Sequence, residues 1–378
     1  MSASGGGAGK DRSVDEKTLG VLIHGAGWVS TQHIAAFQKN PHAEIVGISS
    51  RSLGSAEKRA AEAGLDVPLF DDFEKALAQP GVDIVAVCTP QHVHAENVIT
   101  AAAAGKHIVI EKPVCQTLEE LHAMQDAVRK AGVKTVVSFV LRWNPLFQTL
   151  KRMSADSTFG DIYYVETDYQ SYSGDWCDGF SVARTREMGR STFLIAGCHA
   201  VDAMRWFASP EEFGAADPVE VFAYQGGKRG QTTHQFNPYT NDWHEGEAFE
   251  MPGLEVAMVK FADGAIGKVS SNFECIQPYS FPIEIFGTKG TVKDNRVWSP
   301  DKYPGQKEWM EIPTICPDSS DVSHHPFQGE LDHFTECILA GRESHCNLDD
   351  AVKTHEIIFA AFESYASKKP VQLPLRRT

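Results

Sequence analysis

The chain lacks the features that mark nucleic-acid-binding and membrane proteins. Its 378 residues carry a formal net charge of −15, whereas nucleic-acid backbones and anionic membrane surfaces both require clustered lysine and arginine. No apolar run approaches the roughly 18 residues that a membrane-spanning helix needs. We therefore expect no nucleic-acid partner and no membrane partner. An anionic cofactor is not excluded, because local backbone dipoles bind it.

Paired cysteines are also absent. None of the eight cysteines forms a Cys-x-x-Cys pair, and several lie in apolar runs, which is typical of reduced thiols in a cytosolic protein. We expect no metal site, because solvated or packed histidines are commoner than ligands at pairs such as His324-His325. Residues 1–17 contain no apolar segment of the kind that a secretory signal needs. We expect a cytoplasmic protein with a disordered tail at residues 1–17.

A glycine-rich turn follows the first predicted strand. Residues 19–23 form an apolar strand candidate, and Gly-Ala-Gly-Trp-Val-Ser at 25–30 precedes a predicted helix. This order is the context that a dinucleotide-binding fingerprint requires. The first glycine permits the tight turn, and the second lets backbone amides approach a pyrophosphate at the helix N-terminus. The third position is Ser30 instead of glycine. We predict cofactor contacts at Gly25, Gly27, Trp28 and Val29.

An acidic residue is missing where the second predicted strand, residues 44–50, ends. An NAD-preferring site usually places Asp or Glu here to bind the ribose 2′-hydroxyl. The chain has Ser50 and Arg51 instead. Arg51 beside serines accommodates a 2′-phosphate, or else it stacks beside the adenine. We predict that Ser50 and Arg51 contact the cofactor and expect NAD or NADP, with a slight preference for NADP.

Two further apolar runs end in polar residues that face the same crevice. Ligands bind at the carboxyl ends of strands in an open parallel sheet. The run at 83–88 is followed by Thr89-Pro90, and the run at 108–110 is followed by Glu111-Lys112-Pro113. Pro113 fixes its own φ angle and restricts Lys112 before it. Lys112 is therefore predicted to stand at the crevice.

The sequence pattern changes after residue 140. Up to this point, strands and helices alternate at steady spacing, which predicts a doubly wound parallel sheet, that is, a Rossmann domain of the α/β class. Beyond it, β-rich segments are joined by hairpin signals such as Asp263-Gly264 and are followed by two predicted helices. This pattern predicts an α+β domain with a large, mostly antiparallel open sheet. We expect a dinucleotide-binding domain at 18–140 and a second domain at 141–378.

Three motifs together carry a family resemblance. With the glycine turn, Glu-Lys-Pro at 111–113 and Gly-Cys-His-Ala-Val-Asp at 197–202, the chain resembles the glucose–fructose oxidoreductase / inositol dehydrogenase / MocA (Gfo/Idh/MocA) family of nicotinamide-dependent sugar and cyclitol dehydrogenases. The resemblance runs from about residue 20 to about residue 374. It implies an NAD(P)-dependent oxidoreductase that transfers hydride between the cofactor and a ring secondary alcohol of a sugar, glycoside or cyclitol. It also implies that the second domain binds the substrate, that its C-terminal helices pack back on both domains, and that its open sheet face forms a homodimer or homotetramer.

The resemblance assigns roles to individual residues. The family's catalytic lysine and histidine correspond to Lys112 and His199. Histidine has an unperturbed pKa of about 6.5, suitable for a base, and a lysine ammonium orients the hydroxyl and stabilises developing alkoxide. A segment that approaches the nicotinamide in the family corresponds to Arg142 and Asn144. The other cofactor contacts that we predict are Thr89, Pro90, His94, Glu111 and Lys112.

The chain departs from the family at Ile195. Many members carry Asp four residues before the catalytic histidine, whereas isoleucine can neither accept a proton nor hold the imidazole. Three explanations stay open: His199 acts alone, an acid from the polar segment at 173–190 contributes, or catalysis is lost. Asp178 is our third catalytic candidate, and Asp175 is a plausible substitute.

The remaining predictions concern the substrate and the alternative functions. Asp202, one helical turn after His199, either orients the imidazole or caps neighbouring backbone. Arg184 and Arg186 either bind an anionic group or are solvated. An alternative function is redox-neutral glycoside cleavage or epimerisation with tightly bound NAD, and a non-catalytic family member is a further one. The predicted substrate contacts are Lys112, Asp175, Trp176, Arg184, Arg186, Cys198 and His199.

Overall fold

The computed structural model describes residues 18–172, 185–228, 234–237, 240–245, 248, 250–314, 316 and 325–377. None of the helices in these ranges is long and apolar enough to cross a membrane.

Strands and helices alternate between residues 19 and 137. Their bounds are β1 (Leu19–His24), α1 (Ser30–Lys39), β2 (Ala43–Ser49), α2 (Leu53–Ala63), β3 (Leu69–Phe70), α3 (Phe73–Leu77), β4 (Ile84–Val87), α4 (His94–Ala103), β5 (His107–Ile110), α5 (Leu118–Ala131) and β6 (Thr135–Val137). The strands form one six-stranded sheet in the order β3-β2-β1-β4-β5-β6, and every pairing in it is parallel. The order reverses between β1 and β4, so the carboxyl ends of these strands flank a crevice.

Burial explains the apolar composition of the central strands. All four residues of β4 are fully buried, as expected of a strand with helices on both faces. Local signals set the helix ends. Thr117 and Glu120 form the predicted capping box at the start of α5, and Gly132 ends that helix in the left-handed conformation with φ of 66°, which glycine adopts without steric cost.

One sequence-based helix boundary was wrong. The pattern predicts a helix at 70–78 with Asp71 as a cap, whereas the chain continues as β3 through Phe70 and the helix begins at Phe73. Phe70 pairs with Ser49 at the sheet edge, and the Asp72 side chain accepts a hydrogen bond from the Lys75 amide. Phe70, which the pattern assigns to the start of the helix, therefore belongs to the sheet instead.

The second part of the chain begins with α6 (Pro145–Ala155). The following elements are β7 (Ile162–Gln170), a π-helical turn (Phe193–Gly197), α7 (Cys198–Ala208), β8 (Pro218–Gly226), β9 (His234–Asn237), β10 (Asp242–Glu245), β11 (Leu254–Phe261), β12 (Ile266–Asn272), β13 (Ile283–Gly287), β14 (Thr291–Lys293), β15 (Arg296–Trp298), β16 (Met310–Glu311), α8 (Phe327–Leu339), α9 (Leu348–Ser367) and β17 (Val371–Gln372). The predicted Asp263-Gly264 hairpin joins the antiparallel pair β11 and β12.

These strands build a nine-stranded sheet in the order β16-β15-β14-β13-β7-β12-β11-β8-β17, and β9 pairs with β10 separately. The β7–β12 pair is parallel, and the other pairs of the large sheet are antiparallel. One face is covered by α7, whose Ala200 carbonyl accepts the Thr167 hydroxyl at 2.8 Å. Helix α9 packs on β8 and α5, and α8 packs on α1. The predicted fold class, a parallel Rossmann sheet plus a mostly antiparallel second sheet, is confirmed.

The helical spacing of residues over 191–208 predicts a helix there, and this helix begins irregularly. Its first part is the π-helical turn Phe193–Gly197, and regular α-helix starts at Cys198. Space at Gly197 is tight, because a Cβ atom there would lie 2.6 Å from the Cβ atom of Ser271. The wide turn therefore brings this segment against β12 just before it delivers His199.

Candidate active site

The glycine turn after β1 forms an open cradle at the start of α1. Gly25 has φ of 107°, and a Cβ atom there would lie 2.6 Å from the backbone of Cys88, so only glycine fits. A Cβ atom on exposed Gly27 would meet nothing closer than the Cys88 carbonyl oxygen at 4.0 Å. No side chain caps the first turn of α1, and that turn holds no acidic residue. This geometry suits an anionic group at the helix N-terminus.

Other members of the turn have distinct positions. The Trp28 ring is 51% exposed, and Val29 is half-buried. Ser30 is buried and donates a hydrogen bond to the Gly27 carbonyl oxygen at 2.6 Å. The serine that replaces the third glycine therefore closes the turn with its hydroxyl.

The end of β2 presents cationic groups beside this cradle. Ser50 is half-buried and Arg51 is exposed. Arg59 on α2 donates to the Gly27 carbonyl oxygen at 3.2 Å and to Glu62 at 2.7 Å. Sequence reasoning missed Arg59, although its place on the helix that directly follows Arg51 was visible. The Arg59 guanidinium thus lies beside the glycine turn, and Arg51 directly follows the neighbouring strand end.

Lys112 reaches across the crevice from the end of β5. Its side chain is half-buried, and the peptide bond to Pro113 is cis. The Nζ atom donates a hydrogen bond to the carbonyl oxygen of Ile195 at 3.3 Å. The Lys112 ammonium is therefore held by the backbone of the π-helical turn, at the residue where the family resemblance leads us to expect Asp.

His199 lies close to Lys112 on the first turn of α7. It is 5% exposed, and the edge of its ring faces Phe139 at 6.2 Å between centroids. Burial, then the charges of Lys112 and His325, hold the pKa of His199 well below its ordinary value. Its Nδ1 atom is buried and has no hydrogen-bond partner among the described residues. His199 is therefore a neutral imidazole at neutral pH.

A buried carboxylate secures the π-helical turn. Glu255 on β11 accepts hydrogen bonds from the Phe193 amide at 2.6 Å and from the Thr192 hydroxyl at 2.7 Å. The Ile195 side chain is 8% exposed. The turn thus presents a backbone acceptor to Lys112 and an apolar side chain to the site.

Asp202 has a different role from either of the predicted ones. Its carboxylate forms a two-pronged ion pair with Arg142, at 2.7 and 2.6 Å, and accepts the Thr354 hydroxyl at 3.1 Å. Arg142 is 2% exposed and also contacts Asp350 at 2.5 Å. The predicted cofactor contact of Arg142 has no support in this geometry, because its guanidinium is enclosed by carboxylates.

Asn144 and His94 are likewise engaged by the protein. The Asn144 side chain caps α6 by accepting the Leu146 amide at 2.9 Å. Nε2 of His94 lies 2.7 Å from the Thr89 carbonyl oxygen and Nδ1 lies 2.9 Å from the Pro113 carbonyl oxygen, and the single N–H of a neutral imidazole donates to one of the two. His94 therefore ties together the two loops that end β4 and β5, and burial lowers its pKa.

The structure describes four of the remaining predicted contacts, namely Thr89, Pro90, Cys198 and Arg186. Thr89 is half-buried and Pro90 is exposed at the end of β4. Cys198 is buried next to His199, and burial raises its pKa to about 12, so it is a thiol. Exposed Arg186 binds Glu250 through its amide and guanidinium. The site residues predicted at Asp175, Trp176, Asp178 and Arg184 lie outside the described residues.

Two glutamines that sequence reasoning missed connect the crevice to the second domain. Gln91 follows β4 and Gln116 follows the Glu-Lys-Pro motif, and both side-chain amides donate to the Met188 carbonyl oxygen. The Gln116 bond measures 2.8 Å. Their positions after crevice-facing strands were visible in the sequence, but the partner loop was not.

Comparisons with known proteins identify the family of both parts of the chain. Residues 19–139 match the family model described as "Oxidoreductase family, NAD-binding Rossmann fold", and residues 147–293 match the "GFO/IDH/MocA C-terminal domain". The scyllo-inositol 2-dehydrogenase (NAD(+)) of Bacillus subtilis is 26% identical over 346 residues, which cover 89% of this chain and 91% of that protein. The D-xylose 1-dehydrogenase (NADP(+)) 2 of Haloferax volcanii is 23% identical over 342 residues, which cover 90% and 95%.

A solved structure shares the fold over nearly the whole chain. Levoglucosan dehydrogenase in complex with NADH and levoglucosan superimposes with a TM-score of 0.80 at 22% sequence identity, covering 95% of this chain and 100% of that chain. The two matched family models together span most of the sequence. The chain therefore belongs to the GFO/IDH/MocA family of nicotinamide-dependent oxidoreductases.

Proposed function

We propose that this protein is an NAD(P)-dependent dehydrogenase that oxidises a ring secondary alcohol of a sugar, glycoside or cyclitol, with Lys112 and His199 at the reacting hydroxyl. The observation that carries the proposal is that the Lys112 ammonium, at the carboxyl end of β5, bonds the Ile195 carbonyl oxygen four residues before the buried His199, and that its charge adds to burial in lowering the pKa of His199. The named activities of relatives on inositol and on a sugar support this substrate class.

The two side chains divide the chemistry of alcohol oxidation. The Lys112 ammonium orients the hydroxyl and stabilises the alkoxide that develops as the proton leaves. His199 takes that proton at a ring nitrogen, since the imidazole is neutral before the step. The bound nicotinamide supplies the hydride acceptor. Because Ile195 offers no carboxylate, His199 works without a neighbouring acid among the described residues.

The glycine turn supports the cofactor site. The open face at Gly27 and the uncapped start of α1 would hold the pyrophosphate. Thr89 and Pro90 would line the nicotinamide side, as the family resemblance implies. The absence of an acid after β2 and the presence of Arg51 and Arg59 favour NADP. Arginines at this position accommodate a 2′-phosphate, which a carboxylate would repel.

The wider organisation of the molecule is also a proposal. Residues 18–140 would form the cofactor domain, and 141–378 the substrate and dimerisation domain. The open face of the nine-stranded sheet carries exposed Tyr224 and Met258, which supports assembly into a homodimer or homotetramer through this face. The described cysteines are free, which supports a cytoplasmic location.

The test is absorbance in the reduced-nicotinamide band with purified protein, NAD or NADP, and a panel of sugars, glycosides and inositols. We expect turnover that Lys112→Met and His199→Ala each reduce by about 100-fold or more. Lys106→Met is the matched control. Lys106 directly precedes the first residue of β5, at the end of the strand away from Lys112, and its ammonium donates to the Val82 carbonyl oxygen. Equal activity of Lys112→Met and the unmodified protein would contradict the assigned role of Lys112.

A second candidate is a redox-neutral enzyme that cleaves or epimerises a glycoside with tightly held NAD. The two glutamines that fasten Met188 beside the crevice favour slow cofactor exchange and hence this candidate. Release of nicotinamide on denaturation, together with no absorbance change for any substrate, would select it over the dehydrogenase.

A further inference from the structure

Glu111, the first residue of the Glu-Lys-Pro motif, points into the protein interior. It is 5% exposed, and its Oε1 atom lies 2.7 Å from Nε2 of His33 on α1. Its Oε2 atom accepts a hydrogen bond from the backbone amide of Lys112 at 3.0 Å. One carboxylate therefore connects the helix of the glycine turn to the backbone of Lys112. The cofactor contact predicted for Glu111 has no support in this orientation.

The contact between Glu111 and His33 is buried on both sides. Burial raises the pKa of Glu111, but His33 and Lys112 together hold it below its ordinary value, so Glu111 is a carboxylate. Burial lowers the pKa of His33, but Cys88 and Glu111 together raise it well above its ordinary value. Nδ1 of His33 has no hydrogen-bond partner among the described residues, so the contact rests on the Nε2 hydrogen bond to the carboxylate. Buried charges add little net stability compared with apolar packing, so stability alone does not explain this one.

A second carboxyl group beside the pair is neutral. Glu330 on α8 is fully buried, and its Oε1 atom accepts the Ser138 hydroxyl at 2.9 Å. Burial, and then the charge of Glu111, raise the pKa of Glu330 to about 8. Within the described part of the chain, no hydrogen bond joins Glu330 to Lys112. Glutamine in its place would keep the shape and the charge state, which makes it a matched control.

We propose that Glu111 is a positioning residue that fixes the backbone of Lys112 and is itself held in place by its hydrogen bond with His33. This inference rests on the proposed function, in which Lys112 contacts the reacting hydroxyl. The Lys112 side chain is held at its tip by the Ile195 carbonyl oxygen and at its backbone by Glu111. Without the Glu111 carboxylate, the backbone of Lys112 loses this hydrogen bond, and its ammonium is no longer held at the position of the reacting hydroxyl. Misplacement by about 1 Å can lower the rate on the order of 100-fold.

The first experiment separates positioning from cofactor binding. We compare kcat, KM and the Kd of the cofactor for Glu111→Ala, Glu111→Gln and Glu330→Gln. Glu111→Ala should lower kcat by on the order of 100-fold while KM and Kd change by less than about threefold. Glu111→Gln keeps an acceptor for the Lys112 amide and should recover part of the rate. Glu330→Gln should match the unmodified enzyme. A weaker cofactor Kd with unchanged kcat in Glu111→Ala would overturn the proposal.

The second experiment does not depend on turnover. The rate of reductive methylation of Lys112 is followed by peptide mass spectrometry in the same variants, with melting curves to confirm folding. Release of Lys112 should raise its labelling rate several-fold in Glu111→Ala, with a smaller rise in Glu111→Gln and none in Glu330→Gln. If Glu111→Ala does not fold, the labelling rates of Lys112 in Glu111→Gln and in Glu330→Gln are compared instead, and a faster rate in Glu111→Gln supports the positioning role. An unchanged labelling rate in a folded Glu111 variant would overturn the positioning role, whereas inactivity of the unmodified protein toward alcohols would overturn only the proposed function.

Discussion

The ammonium nitrogen of Lys112 lies 3.3 Å from the carbonyl oxygen of Ile195. At this residue the backbone provides the acceptor that an aspartate side chain would otherwise offer. Unlike a carboxylate, a carbonyl group carries no net charge. It holds the ammonium in place but does nothing to stabilise a protonated His199. Burial, and then the charges of Lys112 and His325, hold the pKa of His199 well below its ordinary value.

The first prediction concerns the acid side of the pH–rate profile. Because burial, then the charges of Lys112 and His325, hold the pKa of His199 well below its ordinary value, the base stays neutral as pH falls. The kcat should therefore stay high below the pH at which a free histidine protonates. Ile195→Asp places an opposite charge one turn from the imidazole and should raise its pKa. The acid limb of kcat should then move upward by about one pH unit.

Ile195→Asn is the control for this shift, because it has the size and polarity of Asp without the charge. Steady-state rates from about pH 5 to pH 9 provide the measurement. An acid limb near pH 6.5 in the unmodified enzyme would contradict the lowered pKa of His199. Equal profiles for the Asp and Asn variants would show that the group that titrates in kcat does not respond to a charge at residue 195.

The second prediction concerns the choice of cofactor. Arg51→Ala should raise the Kd of NADP by roughly tenfold, because a charge-assisted hydrogen bond to phosphate contributes about 1.5 kcal/mol or more. The Kd of NAD, which lacks that phosphate, should change by less than about threefold. Fluorescence titration with each cofactor measures both constants. Exposed Arg152, whose nearest carboxylate is Glu212 at 3.9 Å, provides the control variant Arg152→Ala. Equal weakening of NAD and NADP would mean that Arg51 stacks on the adenine.

The local motifs in this chain were predictable because neighbouring residues determine them. The strand, glycine turn and helix at Gly25, the capping box at Thr117 and the strand that delivers Lys112 all depend on short-range chemistry. The family and both sheets were therefore confirmed. The roles of the site residues remain predictions, because no comparison tests them.

Contacts between distant segments were not predictable from one sequence. The interior orientation of Glu111 depends on His33, which lies 78 residues away. Arg142 was expected at the cofactor, but it pairs with Asp202 across 60 residues. A strand end indicates which residues are near the crevice, but the packing of other elements decides whether each side chain points toward the ligand or toward the core.

The third prediction concerns stability. Asp202→Ala leaves the buried Arg142 guanidinium with one carboxylate partner fewer, so the free energy of unfolding should fall by about 3 kcal/mol. Lys353→Ala removes an ion pair with Asp217 at the surface and should cost less than about 1 kcal/mol. Urea denaturation followed by circular dichroism compares the two. If Asp202→Ala lowers the free energy of unfolding by as little as Lys353→Ala does, the buried pair of Arg142 and Asp202 does not stabilise the fold more than a surface pair.

The last prediction concerns the glutamines that hold Met188. Each side-chain bond to the Met188 carbonyl oxygen contributes about 1 kcal/mol, so the Gln91→Ala/Gln116→Ala double variant should release bound cofactor on the order of tenfold faster. Stopped-flow displacement of the reduced cofactor measures this dissociation rate. Gln38→Ala is the control, since Gln38 makes the same kind of bond to the Ala63 carbonyl oxygen outside the crevice. If kcat rises in the double variant along with the dissociation rate, cofactor release limits turnover in the unmodified enzyme. If the dissociation rate is unchanged, the Met188 loop does not retain the cofactor, and the redox-neutral candidate loses its structural support.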